Sequence, residues 1–565
     1  MHLITDRCTG CGYCLLVCPY DALQSNGWAE VIPDNCTNCN LCVYACPSDC
    51  FTPAPKFPLK AYRPRLKAEY DVVIIGSGIG GLMAGVALAQ ARQSVVVFEK
   101  LSFPGGRYTE LDYKGAAVTT GAWTNLGPKS HIGRFLLEHG INLEYISLND
   151  VGLTEQYSLR FPDGRCYPSL FDMLTPAAKK AYLKAILTGR EEINEAAKQR
   201  SSGLTKENVP TFQPATPPFF QLDSISTADY MAQFSADPDL LAAVEAIAAT
   251  ASGLSSRAMP ASEYIQITLD GRAAGQEFAM PKGGVRAIIK ALVTALRQAG
   301  GELFVRSPVA QILVEPSTLP PFHSSNLPTF QPSNLPLLHS STPPTFQPSN
   351  FTTTGIQLAD GRIVRSRVVI HNGGPSRFIK LVGADNLPPD YVAKLAGLKG
   401  VECAALFGAT REPLFTNAPI TMTPNCRRVV GIFAPTLFDP QLSKTGLHLF
   451  DAFFPLYSDD RTAELELALA DLRDLFPHFE RVVEWVVPMF FTGAWAGAES
   501  GQTFAQTGEQ RLDSITPIQN CYLVGMDGRG SGVAGDLIPL GVRALLRHLD
   551  SHTWIQNDQS SRVAR

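Results

Sequence analysis

The sequence predicts a small α+β module of about fifty residues, then an α/β module with a second α+β part interleaved in it. Three observations predict this. Nine of the thirteen cysteines fall in the first fifty residues. An apolar, β-branched run from Val72 to Ile75 enters a Gly76-x-Gly78-x-x-Gly81 turn. A second strand, glycine, acid and helix pattern stands near the other end, at Val524-Gly525-Met-Asp527. Hydrophobic residues make up 45% and charged ones 18% of 565 residues, a globular composition with room for about three or four domains. A net charge of −4 gives no electrostatic case for nucleic acid or an anionic membrane. No apolar run approaches the ~18 residues of a spanning helix. The first residues lack the basic start and apolar stretch of a secretory signal. A cytoplasmic protein is expected, with room for contact at a membrane surface.

The cysteines carry the first chemistry. One run reads Cys8-x2-Cys11-x2-Cys14-x3-Cys18-Pro19, and a second reads Cys36-x2-Cys39-x2-Cys42-x3-Cys46-Pro47. Two-residue gaps let three thiolates fold back around one iron–sulfur cube, and the three-residue gap points the fourth away. Zinc sites use CxxC pairs or added histidines, and neither run contains His. Disulfides suit secreted chains. Residues 1–52 thus resemble bacterial-type ferredoxins with two [4Fe–4S] clusters. The resemblance implies that the fourth cysteine of each run serves the other cluster. One set is then Cys8, Cys11, Cys14 and Cys46, and the other Cys36, Cys39, Cys42 and Cys18. Cys50, Cys166, Cys403, Cys426 and Cys521 fit no ligand spacing and read as buried free thiols.

Residues 53–69 contain Pro53, Pro55, Pro58 and Pro64 and read as an extended linker. At ~3.1 Å per residue it reaches roughly 50 Å, so it leaves the placement of the clusters open. The glycine turn follows. Gly76 permits the bend, Gly78 lets a pyrophosphate approach the backbone, and Gly81 brings helix and strand together. Gly80 lies inside the same turn. The helix from Leu82 to Ala91 offers amides to phosphate. A second strand, Ser94 to Phe98, ends in Glu99-Lys100, which places an acid where a ribose hydroxyl is bound. Strand, turn, helix, strand and acid together predict a dinucleotide. A further glycine turn, Pro104-Gly105-Gly106-Arg107, suits a cofactor that runs on past the pyrophosphate.

These motifs, with Pro281-Lys-Gly-Gly284-Val and Val524-Gly525-Met-Asp527, resemble FAD-dependent oxidoreductases of the phytoene desaturase and carotenoid isomerase type, relatives of the flavin amine oxidases. The resemblance covers about residues 70–550. It implies FAD, with contacts from Gly76, Gly78, Gly80, Gly81, Glu99, Lys100, Gly106, Arg107, Gly525 and Asp527. It also implies a backbone contact from Val309 to the adenine end. The family often has an acid two residues before Gly121, and Thr119 stands there instead. The implied fold class is an α+β ferredoxin-like iron–sulfur domain followed by an α/β Rossmann-type FAD-binding domain with an interleaved α+β substrate domain. FAD-binding parts fall at 70–124, 276–385 and 511–553, substrate parts at 125–275 and 386–510, and a tail at 554–565.

Residues 316–354 are rich in Pro, Ser, Thr and Asn, with Pro328-Thr-Phe-Gln-Pro-Ser-Asn334 repeated at Pro344–Asn350. This reads as a disordered low-complexity insertion between two hairpin strands. Helices are expected at Thr175–Ile186, Pro238–Ala249 and Asp459–Leu475. Phe453-Phe454, Pro488–Phe491 and Trp495 read as core, or else as the lining of an apolar pocket. His131, His139 and His371 lack metal-like spacing and read as structural.

Only one dinucleotide fingerprint is present, which disfavours NAD(P)H as the hydride source. The clusters offer another supply, since each exchanges one electron while a flavin exchanges one or two. The expected function is an FAD enzyme acting on an apolar, isoprenoid- or polyene-like C–C or C=C bond by reduction, desaturation or isomerisation. A ferredoxin-like external donor or acceptor would connect through the clusters. The alternatives are amine oxidation, and an electron-transfer subunit without its own substrate. No acid or base side chain is assigned.

Overall fold

A computed structural model describes residues 2–53, 65–122, 127–202, 221–274, 278–317, 350–533 and 535–551. The centre of the Pro-rich linker, most of the low-complexity insertion and Trp123 lie outside those residues. The N-terminal module is built from β1 (His2–Leu3), α1 (Tyr13–Leu16), β2 (Leu23–Ser25), β3 (Ala29–Val31), α2 (Leu41–Ala45) and β4 (Phe51–Thr52). β1 pairs with β4 and β2 with β3, both antiparallel. Each helix starts after a left-handed residue, Gly12 at φ 72° and Asn40 at φ 64°. Glycine enters that region freely and asparagine is among the few others that tolerate it.

β5 (Glu69–Ile75), α3 (Ile79–Gln90) and β6 (Val95–Phe98) follow. They belong to a sheet ordered Glu302–Phe304, β6, β5, Ile363–His371, Phe351–Leu358, Val309–Pro316, with Cys521–Leu523 beside Ile363–His371. The first four of these strands run parallel. Alternate residues of β5 enter opposite apolar clusters, Val72 and Ile74 one, Val73 and Ile75 the other. Both faces of the sheet are therefore covered, which explains the unbroken apolar run. α3 is buried from Ile79 through Ala89 with no polar face. The expected disorder over 316–354 is corrected at its ends: Pro316 and Phe351–Thr354 belong to two strands that pair directly, with Pro316 opposite Phe351.

The second large sheet is ordered Cys166–Tyr167, Tyr157–Arg160, Ile420–Met422, Gly431–Phe433, His448–Pro455, Cys403–Thr410, Val483–Phe491. Its registers align Tyr157, Ile420, Phe433, Asp451, Phe407 and Val487 in one row. Residues directly opposite share a face, so Asp451 is an acid in an apolar row. It is 3% exposed, and neither carboxyl oxygen has a hydrogen-bond partner among the described residues. Burial alone pushes its carboxyl well above the ordinary range. The helices at Pro176–Ser202, Pro238–Ser252 and Arg461–Leu475 contain the three stretches expected as helical, apart from the extra residues Thr175, Asp459 and Asp460.

The linker's reach leaves placement open, but the module is docked. Cys8, Tyr13, Leu16 and Phe51 share one apolar cluster with Val118, Phe407, Val487, Met489 and Phe491. Phe490 N–H donates to Gly10 O at 2.9 Å. A Cβ on Gly10 would meet Gly27 O at 2.4 Å, and one on Gly12 would meet Met489 Cγ at 3.0 Å. Arg461 pins the contact. Its guanidinium donates to Cys8 O at 3.1 Å, Gly27 O at 3.3 Å and Thr492 Oγ1 at 2.7 Å, and lies 4.0 Å from the Trp28 ring centroid. The aromatic stretch at 488–491 is therefore core and docking surface. Trp495 stands edge-on to Tyr13 at 5.9 Å.

Two outcomes follow from this packing. Arg461→Ala should weaken docking by about 2–4 kcal/mol, read as faster amide exchange in residues 2–52 of the full chain; unchanged protection would refute the pin. Asp451→Leu should raise the unfolding free energy, by about 1–4 kcal/mol at neutral pH. A raised acid pKa means that the folded state keeps a proton which the unfolded chain gives up above its ordinary pKa. Wild-type stability then falls as pH rises past ~4, so the gain from leucine grows from pH 4 to 8. An equal loss of stability at both pH values would show the acid to be compensated.

Candidate functional site: two thiol cavities and a glycine cradle

The eight run cysteines converge on two cavities. Cys8, Cys11, Cys14 and Cys46 line one. Cys18, Cys36, Cys39 and Cys42 line the other. The last cysteine of each run thus crosses to the opposite cavity. Short helices α1 and α2 each carry the third thiol of their run, Cys14 and Cys42. Backbone amides already face sulfur in the first cavity, with Ala29 N–H on Cys8 Sγ at 3.4 Å and Cys50 N–H on Cys46 Sγ at 3.3 Å. Among the described residues no group of three or more His, Cys, Asp or Glu closes on a single-ion position. Four thiols around open space fit a multi-iron cube better than one zinc ion.

Burial pushes the Cys11 thiol up to about 12, and Cys42 likewise. Such thiols ionise only with a cation to hold them. Cys50 lines the first cavity too, a position that spacing gave no reason to expect. Of the other cysteines, Cys403 and Cys521 are buried, Cys426 is half-buried and Cys166 is exposed. The expectation of burial is corrected for the last two.

The glycine cradle lies where β5 ends. Gly76 has φ +95°. Gly78 caps α3 without any side-chain partner, which leaves the first amides of a twelve-residue helix open to an anion. A Cβ on Gly78 would meet Asn372 Nδ2 at 2.5 Å, and one on Gly81 would meet Gly76 O at 2.3 Å. One on Gly80 would lie 3.2 Å from Gly525 Cα, so the two distant glycine motifs meet at the start of α3. Glu99 is buried; it accepts from Ser77 N–H and Oγ at 2.8 Å and from Leu101 N–H at 2.8 Å. Ser307 N–H donates to Glu99 O at 2.8 Å, which brings the start of the Val309 strand beside the acid.

The cradle continues through the second turn. Gly105 N–H donates to Ser77 O at 3.0 Å. Gly106, at φ +58°, faces open space where a Cβ would stand. Asp527 Oδ1 accepts from Glu499 and Ser500 N–H at 2.8 Å, and the buried Ser500 Oγ has no protein partner. Bare helix amides, the Cβ-free approach and this orphaned hydroxyl are what a long phosphate-bearing cofactor needs.

Two side chains depart from expectation. Lys100 turns its ammonium away from the cradle, onto Pro47 O and Asp49 of the N-terminal module. The docked module supplies a nearer carbonyl and carboxylate. Arg107 gives its guanidinium to the carbonyls of Ala496 and Gly497, and stacks on Trp495. Gly284 of Pro281-Lys-Gly-Gly284-Val faces no open cradle, since a Cβ there would meet the Glu110 carboxylate. Glu110 fills that helix start, accepting from Val285 and Arg286 N–H, and burial raises its carboxyl to about 7. His371 is buried on Gly374 O at 3.0 Å and is pushed down to about 4 by burial. His139 bonds Gln90 at 2.8 Å, and the His131 backbone amide bonds Asp536.

Sequence inspection missed Asn372, Tyr13 and Asp451. Asn372 sits directly after the Ile363–His371 strand, a position that a strand-end search would have marked. Tyr13 lies between Cys11 and Cys14 and is fully buried. Its hydroxyl donates to Thr120 O and reaches Gly106 O at 3.4 Å, so the first thiol cavity abuts the second glycine turn. Asp451 interrupts the apolar run Leu449–Pro455, and that interruption was the available signal. It can hold a proton on a face otherwise lined by apolar groups.

Comparison with known proteins accords with this geometry. Residues 79–320 match the flavin containing amine oxidoreductase family, and residues 7–50 match the 4Fe-4S dicluster domain. The chain is 24% identical over 483 residues to an uncharacterized protein of Methanocaldococcus jannaschii, covering 85% of this chain and 99% of that one. It is 27% identical over 266 residues to prolycopene isomerase of Daucus carota, 44% of this chain and 42% of that protein. It is 24% identical over 282 residues to all-trans-retinol 13,14-reductase of Macaca fascicularis, 44% and 43%. The chain thus spans less than half the length of these last two relatives. An oxidoreductase from Methanosarcina mazei shares the fold at a TM-score of 0.66 and 22% identity, over 84% of this chain and 100% of that one. Among the described residues no helix is long and apolar enough to cross a membrane. The chain thus carries a flavin containing amine oxidoreductase-type domain over residues 79–320, behind a 4Fe-4S dicluster domain at residues 7–50.

Proposed function

We propose that the N-terminal module is ferredoxin-like and holds two [4Fe–4S] clusters, and that the parallel sheet is a Rossmann-type FAD-binding domain. The second sheet with its helices is the substrate domain, and the substrate is an apolar, polyene-like molecule with a reacting C=C bond. One observation carries the electron route: Tyr13, inside the first cysteine run, touches Gly106 and Thr120 of the flavin domain. Bound in the cradle, FAD supplies one- and two-electron chemistry, and the clusters supply single electrons. The chain's own residues then have separate tasks. The amides of α3 hold the pyrophosphate, Glu99 lies at the ribose end, and Gly525 and Asp527 fix the far turn. Tyr13 and Trp495 fill the space between cavity and turn and exclude water from it.

The second cavity faces outward. Tyr20 and Leu41 on its rim are 48% and 38% exposed. That rim is the docking face for a ferredoxin-like donor or acceptor. The polyene substrate is supported by the prolycopene isomerase and retinol reductase relatives, and by the apolar row beside Asp451.

In the anaerobic holoprotein, reduced ferredoxin should bleach the flavin and NADPH should not, followed by absorbance. Fast bleaching by NADPH alone would overturn the electron route. Separately, Gly78→Val should cut flavin content at least tenfold, since its Cβ position is 2.5 Å from Asn372 and phosphate needs that space. The measurement is flavin released per chain, and normal content would remove Gly78 from the cradle.

A further inference from the structure

The two cysteine runs match at an offset of twenty-eight residues, Cys8 with Cys36 and Cys18 with Cys46. The match runs on past the ligands: Cys18-Pro-Tyr-Asp21-Ala22-Leu23 lies over Cys46-Pro-Ser-Asp49-Cys50-Phe51. Backbone geometry repeats as well, with Asp21 at φ 47° and Asp49 at φ 52°. At the fifth of these positions, an alanine in one copy is a cysteine in the other. Ala22 lines the second cavity, and Cys50 lines the first.

Cys50 is 2% exposed and held from both sides. Ile4 N–H donates to Cys50 O at 2.7 Å, and Cys50 N–H donates to Cys46 Sγ at 3.3 Å. Its side chain lines the same cavity wall as Cys8 and Cys46. Once the four ligands are thiolates they are acceptors only, and Cys50 is then the one sulfur of that cavity wall with a hydrogen to give.

We propose that Cys50 is a built-in hydrogen-bond donor to the cluster held by Cys8, Cys11, Cys14 and Cys46, and that it makes this cluster easier to reduce. This rests on the two-cluster reading above. Reduction adds one electron to the cluster and breaks no bond. The added charge spreads onto the sulfurs, where an S–H donor stabilises it. The thiol keeps its proton and is not oxidised. Two cations lie on the same side, Arg461 on Cys8 O at 3.1 Å and Lys100 on the carbonyl of Pro47. An electron entering at the exposed second cavity would thus be drawn to the cluster beside Tyr13.

The test uses the full-length holoprotein, with EPR of samples poised at known potentials and no substrate. Cys50→Ala should disfavour reduction of one cluster threefold to tenfold, a fall of about 30–60 mV at 59 mV per decade for one electron, and leave the other unchanged. Cys50→Ser keeps a donor and should shift less. Ala22→Cys installs the thiol at the second cavity and should raise that cluster's midpoint. Unchanged midpoints in Cys50→Ala would overturn the proposal. So would loss of one cluster's iron, since Cys50 would then be a ligand. If Cys50→Ala loses both clusters, Ala22→Cys decides, and no rise there overturns it. Because flavin reduction is not read, failure of the electron route would leave this result intact.

Discussion

Fifty residues wrapped around two thiol cavities have few apolar side chains with which to build a core of their own. The N-terminal module instead buries its apolar side chains jointly with strands Cys403–Thr410 and Val483–Phe491. The positions of the first cavity, Tyr13 and the second glycine turn all depend on that shared core. Arg461 adds direction to it, because a planar guanidinium that meets two carbonyls, a hydroxyl and an indole face has few ways to fit. The long Pro-rich connection therefore decides nothing about where the cavities sit; the docked surface does.

The flavin side is held by a similar economy of side chains. Asn372 takes the space that Gly76, Gly78, Gly80, Gly81 and Gly525 leave free. It can do so because its backbone N–H donates to Ile75 O at 2.8 Å, tying the end of one parallel strand to its neighbour. Glycines far apart in sequence are thereby brought to one helix start. Glu110 shows the opposite use of a helix start. There a buried carboxylate stands where an anion would bind, and the helix serves to tie the hairpin of Glu110–Tyr113 and Ala116–Thr119 to the rest of the molecule.

What the sequence made legible was local. Three-residue periodicity of thiols and a glycine turn between two apolar strands report geometry within one loop, so the eight cysteines and the cradle glycines could be read in place. Long-range choices could not be. Lys100 sits next to Glu99 in the chain, yet its ammonium follows Pro47, which only docking brings near. Arg107 sits in a glycine turn, yet its partners are carbonyls almost four hundred residues away. Cys50 fits no ligand spacing because its role depends on a cavity wall to which Ala29 of β3 and Phe51 of β4 also contribute. Asp451 was legible only as an irregularity until strand registers placed it in a row with Phe433 and Phe407.

The two halves of the N-terminal module differ where they touch different surroundings. Gly10 and Gly12 correspond to Asn38 and Asn40, with all four at positive φ. Glycine is required in the first copy because Gly27, Phe490 and Met489 press against it, and asparagine suffices in the second. Tyr13, fully buried, corresponds to Leu41, which is 38% exposed. Cys50 corresponds to Ala22. Each difference follows from one half being docked and the other facing out. A repeated sequence would give two equivalent cavities if it folded alone. Docking makes one of them interior and adjacent to the flavin domain, and leaves the other at the surface. A directional pair of sites thus arises from a single packing event.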